Sequence, residues 1–185
     1  VAAAGDQLVA AAILSTWAVG YQSVDAAAAL AEHGLRPRQQ FFMLQDEGWR
    51  ALRGAAGLVD HADALTRLAR SKGIANMFVT HSLRDLEALP TEEDRAKAQG
   101  FVDRSAIVIL AGSRMKELNR VSTITPLADA EKNLVASWAA TEGWQAGGVH
   151  PGRGKYLVKT SGRPGVPVQM HLTRDEEALY RTDPT

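Results

Sequence analysis

Hydrophobic positions along the chain change period several times, and each change predicts an element. Residues 6–32 are alanine-rich, with Leu8, Ala12, Trp17 and Tyr21 at helix-compatible spacing. That predicts one long helix, or two broken near Gly20, closed by Gly34 and Pro37. "QFFML" (40–44) is then a short unbroken apolar run, the pattern of a strand buried on both faces. After Trp49 the apolar positions Leu58, Ala62, Leu65 and Ala69 mark one helix face, with Lys72-Gly73 as its stop. Buried strands are predicted at 74–80 and 105–111. The helix between them starts at Thr91, with Asp94 three residues on in a variant capping box. Strand, helix, strand, helix, strand is the order of an α/β domain with a mainly parallel sheet flanked by helices. "TPLADAEKNLVASWAA" adds another helix. The texture then becomes that of a β-hairpin: "GKYLVKT", a turn "SGRPG" and "VPVQMHL", with Val166, Val168, Met170 and Leu172 on one face. Thr173 and Glu176 form a capping box for a short last helix, and the end "RTDPT" is expected to fray.

Composition sets bounds on this picture. With 185 residues, 45% of them hydrophobic, the chain is long enough for one domain with a core. Its expected parts are a helical lead-in (1–36), a βαβαβ core (37–125), and a helix, hairpin and terminal helix (126–185). The formal net charge is zero, so no global field points to nucleic acid or an acidic membrane. There are no cysteines, which excludes disulfides and cysteine-ligated zinc. The most apolar stretch, 8–19, is about half of the roughly 20 residues a spanning helix needs. It lacks the flanks of a signal peptide. A soluble, cytosol-facing protein is expected. Val1 in place of an initiator methionine suggests a piece of a longer one.

The chemistry concentrates where the first strand ends. "FFMLQDEGW" runs from apolar residues through Gln45 into two adjacent acids, Asp46 and Glu47. In an α/β sheet, ligands bind outside the carboxyl ends of parallel strands. There one acid can hold a hydrated Mg²⁺, and the next can orient the water that attacks a γ-phosphate. A hydrophobic strand ending in Asp-Glu is the Walker B pattern of P-loop ATPases, although buried strands also end on polar residues for purely structural reasons. The second strand ends at Thr80-His81-Ser82, where His81 could contact the γ-phosphate or simply cap the strand. Arg67 and Arg70 lie three apart on the intervening helix, with Asp63 four before Arg67. They read either as a solvated charged face or as a source of an arginine finger. No G-x-x-x-x-G-K-[ST] occurs anywhere in the chain. "HPGRGKYLVK" has the wrong spacing and leads into a strand, so its glycines mark a turn and Lys155 a strand surface.

Five stretches in order, "FFMLQDEGWRALR", "DALTRLARSKG", "FVTHSLRDLEALPTEEDRAKAQGFVDRS", "GRGKYLVKTSGRPGVPV" and "LTRDEEALYRTD", resemble the C-terminal part of actinobacterial ATP/GTP-binding proteins. These are related to the conjugation and type IV secretion ATPases, which are similar to RecA-like hexameric motors. The Asp-Glu-x-Trp block followed by Thr-[Gln/His]-Ser-x-x-Asp is the most specific part. The resemblance implies a partial RecA-like domain, ATP and Mg²⁺ as ligands, Asp46 for the metal, Glu47 for the water and His81 at the sensor position. It also implies a P-loop upstream of Val1, an inactive fragment, and a sheet edge left exposed where the P-loop strand belongs. A homo-oligomer, a hexamer in the intact protein, would work with secretion or conjugation machinery. That places it in the cytoplasm, or at the inner face of the membrane through partners. Trp49 and Asp85 match family positions as structural residues. Two other readings remain open: a non-catalytic interaction module, and a fragment of a double-stranded DNA translocase. For the latter, DNA contact is not evident from the charge.

Overall fold

The computed structural model describes residues 2–46, 48–52, 58–69, 71–89, 91–139, 150–160 and 162–179. Its elements run α1 (Ala2–Glu32), β1 (Phe41–Asp46), α2 (Gly48–Leu52), α3 (Leu58–Ala69), β2 (Ile74–Val79), α4 (Arg84–Glu87), α5 (Glu92–Asp103), β3 (Ile107–Leu110), α6 (Met115–Val121), α7 (Asp129–Ser137), β4 (Lys155–Thr160), β5 (Val166–Gln169) and α8 (Arg174–Leu179). They divide into two compact units, Val1–Phe101 and Val102–Thr185, a division that falls inside the 37–125 stretch. No helix among the described residues is long and apolar enough to cross a membrane.

In the first unit the alanine-rich segment forms one helix, unbroken at Gly20. The glycine serves contact with the sheet: a Cβ there would stand 3.2 Å from the Met43 terminal methyl. Leaving it out lets α1 and β1 approach closely. Gly34, at φ 69°, ends the helix. The Leu35 amide then donates to the Leu30 carbonyl at 2.9 Å and the Gly34 amide to Ala31 at 3.0 Å, the paired bonds of a Schellman cap. The chain enters β1, which pairs in parallel with β2 from Phe41 opposite Ile74 to Asp46 opposite Val79. Tyr21 and Val24 of α1 pack with Ala69 and Ile74, and Trp17, Phe41 and Met43 join them. Lys72 at the end of the α3 connection pairs with Asp25 of α1.

β1 is covered on one face only, which corrects the expectation of burial on both. Phe41, Met43 and Gln45 face α1, whereas Phe42 is 68% and Leu44 59% exposed. An unbroken apolar run cannot by itself distinguish burial on one face from burial on two.

The second unit corrects the third parallel strand. β3 pairs antiparallel with β4, and β4 antiparallel with β5, in a three-stranded sheet ordered β3-β4-β5. Within the described residues the parallel sheet therefore has two strands, β1 and β2. "IVIL" carries no mark of strand direction, which is settled by the partner. The predicted hairpin is present, with Val158 opposite Val166 and Tyr156 opposite Val168. Thr173 caps α8 as expected: its amide and hydroxyl both donate to the Glu176 carboxylate at 2.8 Å. The terminal "RTDPT", 181–185, lies outside the described residues. Three short helices, α2, α4 and α6, have no counterpart in the sequence reading; each is seven residues or fewer, too short for a clear 3.6-residue period.

One side chain joins three parts of this unit. The Glu131 carboxylate, near the start of α7, accepts from Lys159 Nζ of β4 at 2.9 and 2.8 Å. It also accepts from the Gly165 amide ahead of β5 at 2.6 Å and the Ala128 amide at the helix N-terminus at 2.8 Å. Both side chains are largely buried, at 12% and 10% exposure. Burial pushes the Glu131 carboxyl up, but the bonds from Lys159, Gly165 and Ala128 outweigh it and hold it below its ordinary 4.5. A depressed carboxyl contributes stability that is complete above its unfolded value and is lost as pH falls through the folded one. Glu131→Gln is expected to cost about 1–3 kcal/mol at neutral pH. In urea denaturation followed across pH, the gap between wild type and variant should close as pH drops below 4.5.

Candidate functional site

Parallel pairing puts the carboxyl ends of β1 and β2 at one edge. Asp46 stands opposite Val79, and neighbouring strands lie about 4.8 Å apart. Asp46 is exposed, as are Thr80 and His81 immediately beyond β2. The register thus ends β1 and β2 at one edge, with Asp46 opposite Val79 and His81 two residues beyond that pair. Glu47 and Arg70 lie outside the described residues. Arg67 is on α3, exposed, with its Nε 2.7 Å from Asp63 Oδ2 one turn back. That geometry gives it a pairing along its own helix.

The turn after β2 is closely hydrogen-bonded. Thr80 Oγ1 donates to Asp85 Oδ2 at 2.8 Å and lies 3.1 Å from the Ser82 carbonyl. The Ser82 amide points back to Thr80 Oγ1 at 3.4 Å, and Ser82 Oγ accepts from the Arg84 amide at 3.1 Å. The Thr-x-Ser-x-x-Asp spacing is the sequence signal of this arrangement. Leu83, Leu86 and Leu89 are buried beneath it and anchor α4.

Beyond Asp46 the chain enters α2 through Gly48 and Trp49. A Cβ on Gly48 would lie 3.1 Å from the Trp17 ring, so α1 approaches closely here as well. Trp49 is 4% exposed, with ring centroids 6.0 Å from Phe78 of β2 and 5.7 Å from Phe101 of α5. The aromatic cluster fixes the chain that leaves the acidic strand end to the neighbouring strand. Trp49→Ala is expected to cost about 3–5 kcal/mol. Trp49 Nε1 is buried without a partner among the described residues, so Trp49→Phe, which removes that donor, should cost less than half as much in the same denaturation experiment.

Gln45, just before the acids, is 3% exposed. Its Nε2 lies 3.5 Å from the Tyr21 hydroxyl, at the limit of a hydrogen bond. Its Oε1 and both polar atoms of the Asn76 side chain have no partner among the described residues. Burial pushes the Tyr21 phenol up, which keeps it a neutral hydroxyl. Because an unsatisfied buried amide is costly, Gln45→Met should raise the stability measured in urea by about 1 kcal/mol.

Among the described residues no group of three or more His, Asp or Glu is placed to hold a metal. A hydrated Mg²⁺ would need only one or two carboxylates together with substrate phosphates, and Asp46 is one exposed carboxylate at this edge. The "HPGRG" segment is a turn, with Gly154 at φ 69° leading into β4. That agrees with its reading as a turn and not a phosphate cradle.

No protein-family model matches the chain. A search of curated proteins finds no match either. Among solved structures the chain is similar to VirB4 of Thermoanaerobacter pseudethanolicus, with a TM-score of 0.66 and 15% sequence identity. The match covers 92% of this chain and 39% of the VirB4 chain. At that identity the likeness is one of fold: the chain shares a mixed α/β fold with a segment of VirB4.

Proposed function

We propose that this chain is the C-terminal portion of a motor ATPase of the conjugation and type IV secretion kind. The observation that supports the reading is the parallel register that ends β1 at Asp46 opposite Val79, one residue before Thr80. The fold likeness to VirB4, a type IV secretion ATPase, supports it independently. The 185 residues hold no G-x-x-x-x-G-K-[ST] motif, so the reading concerns a longer protein that supplies the phosphate cradle. The piece by itself is expected to be inactive. In the intact protein, ATP hydrolysis would drive DNA transfer or protein secretion from the cytoplasm, at the inner face of the membrane through partners. A homo-oligomer, hexameric in this reading, would let Arg67 or Arg70 act on a neighbouring subunit's nucleotide.

Asp46 would hold the Mg²⁺, directly or through water. When bound, the ion neutralises charge on the β- and γ-phosphates. Glu47 would orient the attacking water and polarise it, and His81 would donate a hydrogen bond to a γ-phosphate oxygen. The catalytic effect comes chiefly from positioning and electrostatics, because the transferred phosphoryl group needs little covalent help.

ATP turnover by the intact protein tests this. Glu47→Gln is expected to lower kcat by roughly a hundredfold or more while nucleotide binding persists. Asp46→Ala should weaken binding only in the presence of Mg²⁺. Unchanged turnover in Glu47→Gln would overturn the reading. The exposed apolar residues Phe42 and Leu44 favour the second reading, a protein-interaction module. That reading predicts no Mg²⁺-dependent nucleotide binding by the intact protein.

A further inference from the structure

We infer that Thr80 and Asp85 are positioning residues for His81, an assignment that rests on the nucleotide reading of the strand ends. A group that contacts a γ-phosphate must be held in place before the reaction, since a misplacement of about 1 Å can cost a hundredfold in rate. His81 stands in a short turn, and nothing in a histidine's own backbone preferences would fix it there. The structure holds the residues on either side. Thr80 Oγ1 donates to Asp85 Oδ2 at 2.8 Å, a hydrogen bond of ordinary O–H···O length to a carboxylate oxygen. Ser82 is fixed twice, through its amide near Thr80 Oγ1 at 3.4 Å and its hydroxyl to the Arg84 amide at 3.1 Å. The Asp85 amide in turn donates to the Ser82 carbonyl at 3.1 Å, which closes the loop on itself.

This closed loop is tied to the protein at both ends. Thr80 follows directly from β2, whose last residue is paired with Asp46. Asp85 lies in α4, and the buried Leu83 and Leu86 on either side of it anchor that helix. Residue 81 is therefore carried between two fixed points at the edge where Asp46 ends. The pair holds one conformation of the turn, and that conformation leaves residue 81 exposed two residues past the end of β2.

The test is a double-mutant cycle on ATP turnover by the intact protein. Thr80→Val and Asp85→Ala are each expected to lower kcat roughly tenfold to a hundredfold, with the KM for ATP changed by less than about threefold. Thr80→Ser and Asp85→Asn keep a donor and an acceptor and should retain most of the activity. If Asp85→Ala fails to fold, Thr80→Val against Thr80→Ser carries the comparison. Combining Thr80→Val with His81→Ala should be no worse than His81→Ala alone, because both changes remove one function. Effects that multiply, or full activity in Thr80→Val and Asp85→Ala beside an impaired His81→Ala, would overturn the positioning role and leave the ATPase reading intact. Full activity in His81→Ala would instead remove the sensor, and this inference with it.

Discussion

Because β1 and β2 run parallel, both strands finish at the same edge, and the proposed pairing of Asp46 with the turn after β2 depends on that. Six residues of strand span about 20 Å. Antiparallel pairing would have separated Asp46 from the residue after Val79 by that length, where parallel pairing leaves about one interstrand spacing. Register matters as much as direction. Side chains alternate between faces, so a slip of one residue would turn Asp46 toward α1 and bring Gln45 out. The contacts of Phe41 and Met43 with α1 oppose such a slip. The aromatic cluster of Trp49, Phe78 and Phe101 secures the same edge from behind.

The two-residue period of a strand also accounts for an apparent inversion in β1. A polar residue, Gln45, is buried while Phe42 and Leu44 are exposed. Phe42, Leu44 and Asp46 share a face, so turning Asp46 away from α1 turns the two apolar residues away with it. The same constraint sends Gln45 inward, where one of its two polar atoms finds no partner among the described residues. The strand accepts both costs in the arrangement that leaves its terminal carboxylate exposed. The second unit shows the opposite case. There Glu131 is fully engaged by Lys159 and two backbone amides, and its role is to hold α7 to β4 and the approach to β5.

Much of this was legible from residue pattern. The long first helix, the stop at Gly73, the presence of strands within 74–80 and 105–111, the hairpin and the Thr173–Glu176 cap all follow from local signals. The burial expected of the third strand is not found, since Ile107 is 56% and Ile109 45% exposed. Direction and sidedness were not legible. The run "IVIL" reads the same whether its partner is parallel or antiparallel, and "FFML" the same whether one face or two are covered. The ends of β1, at Asp46, and of β2, two residues before His81, could be read because strand ends are marked by a change from apolar to polar residues. The Thr80–Asp85 bond was recoverable only as a spacing, since five residues across a turn match neither a helix nor a strand period. Glu131 was hidden for a related reason: its partner Lys159 is 28 residues away in sequence.

Whether the carboxyl ends of β1 and β2 form one metal–nucleotide edge is tested most directly by iron-directed backbone cleavage. Fe²⁺ would replace Mg²⁺ beside ATP in the intact protein, with ascorbate and peroxide as reagents and mass spectrometry to map the cuts. Cleavage is predicted within this segment at two places far apart in sequence, around Asp46 and around Thr80–Ser82. Both cuts should depend on ATP and be suppressed by excess Mg²⁺. Cleavage that avoids one or both of these strand ends would contradict the shared edge.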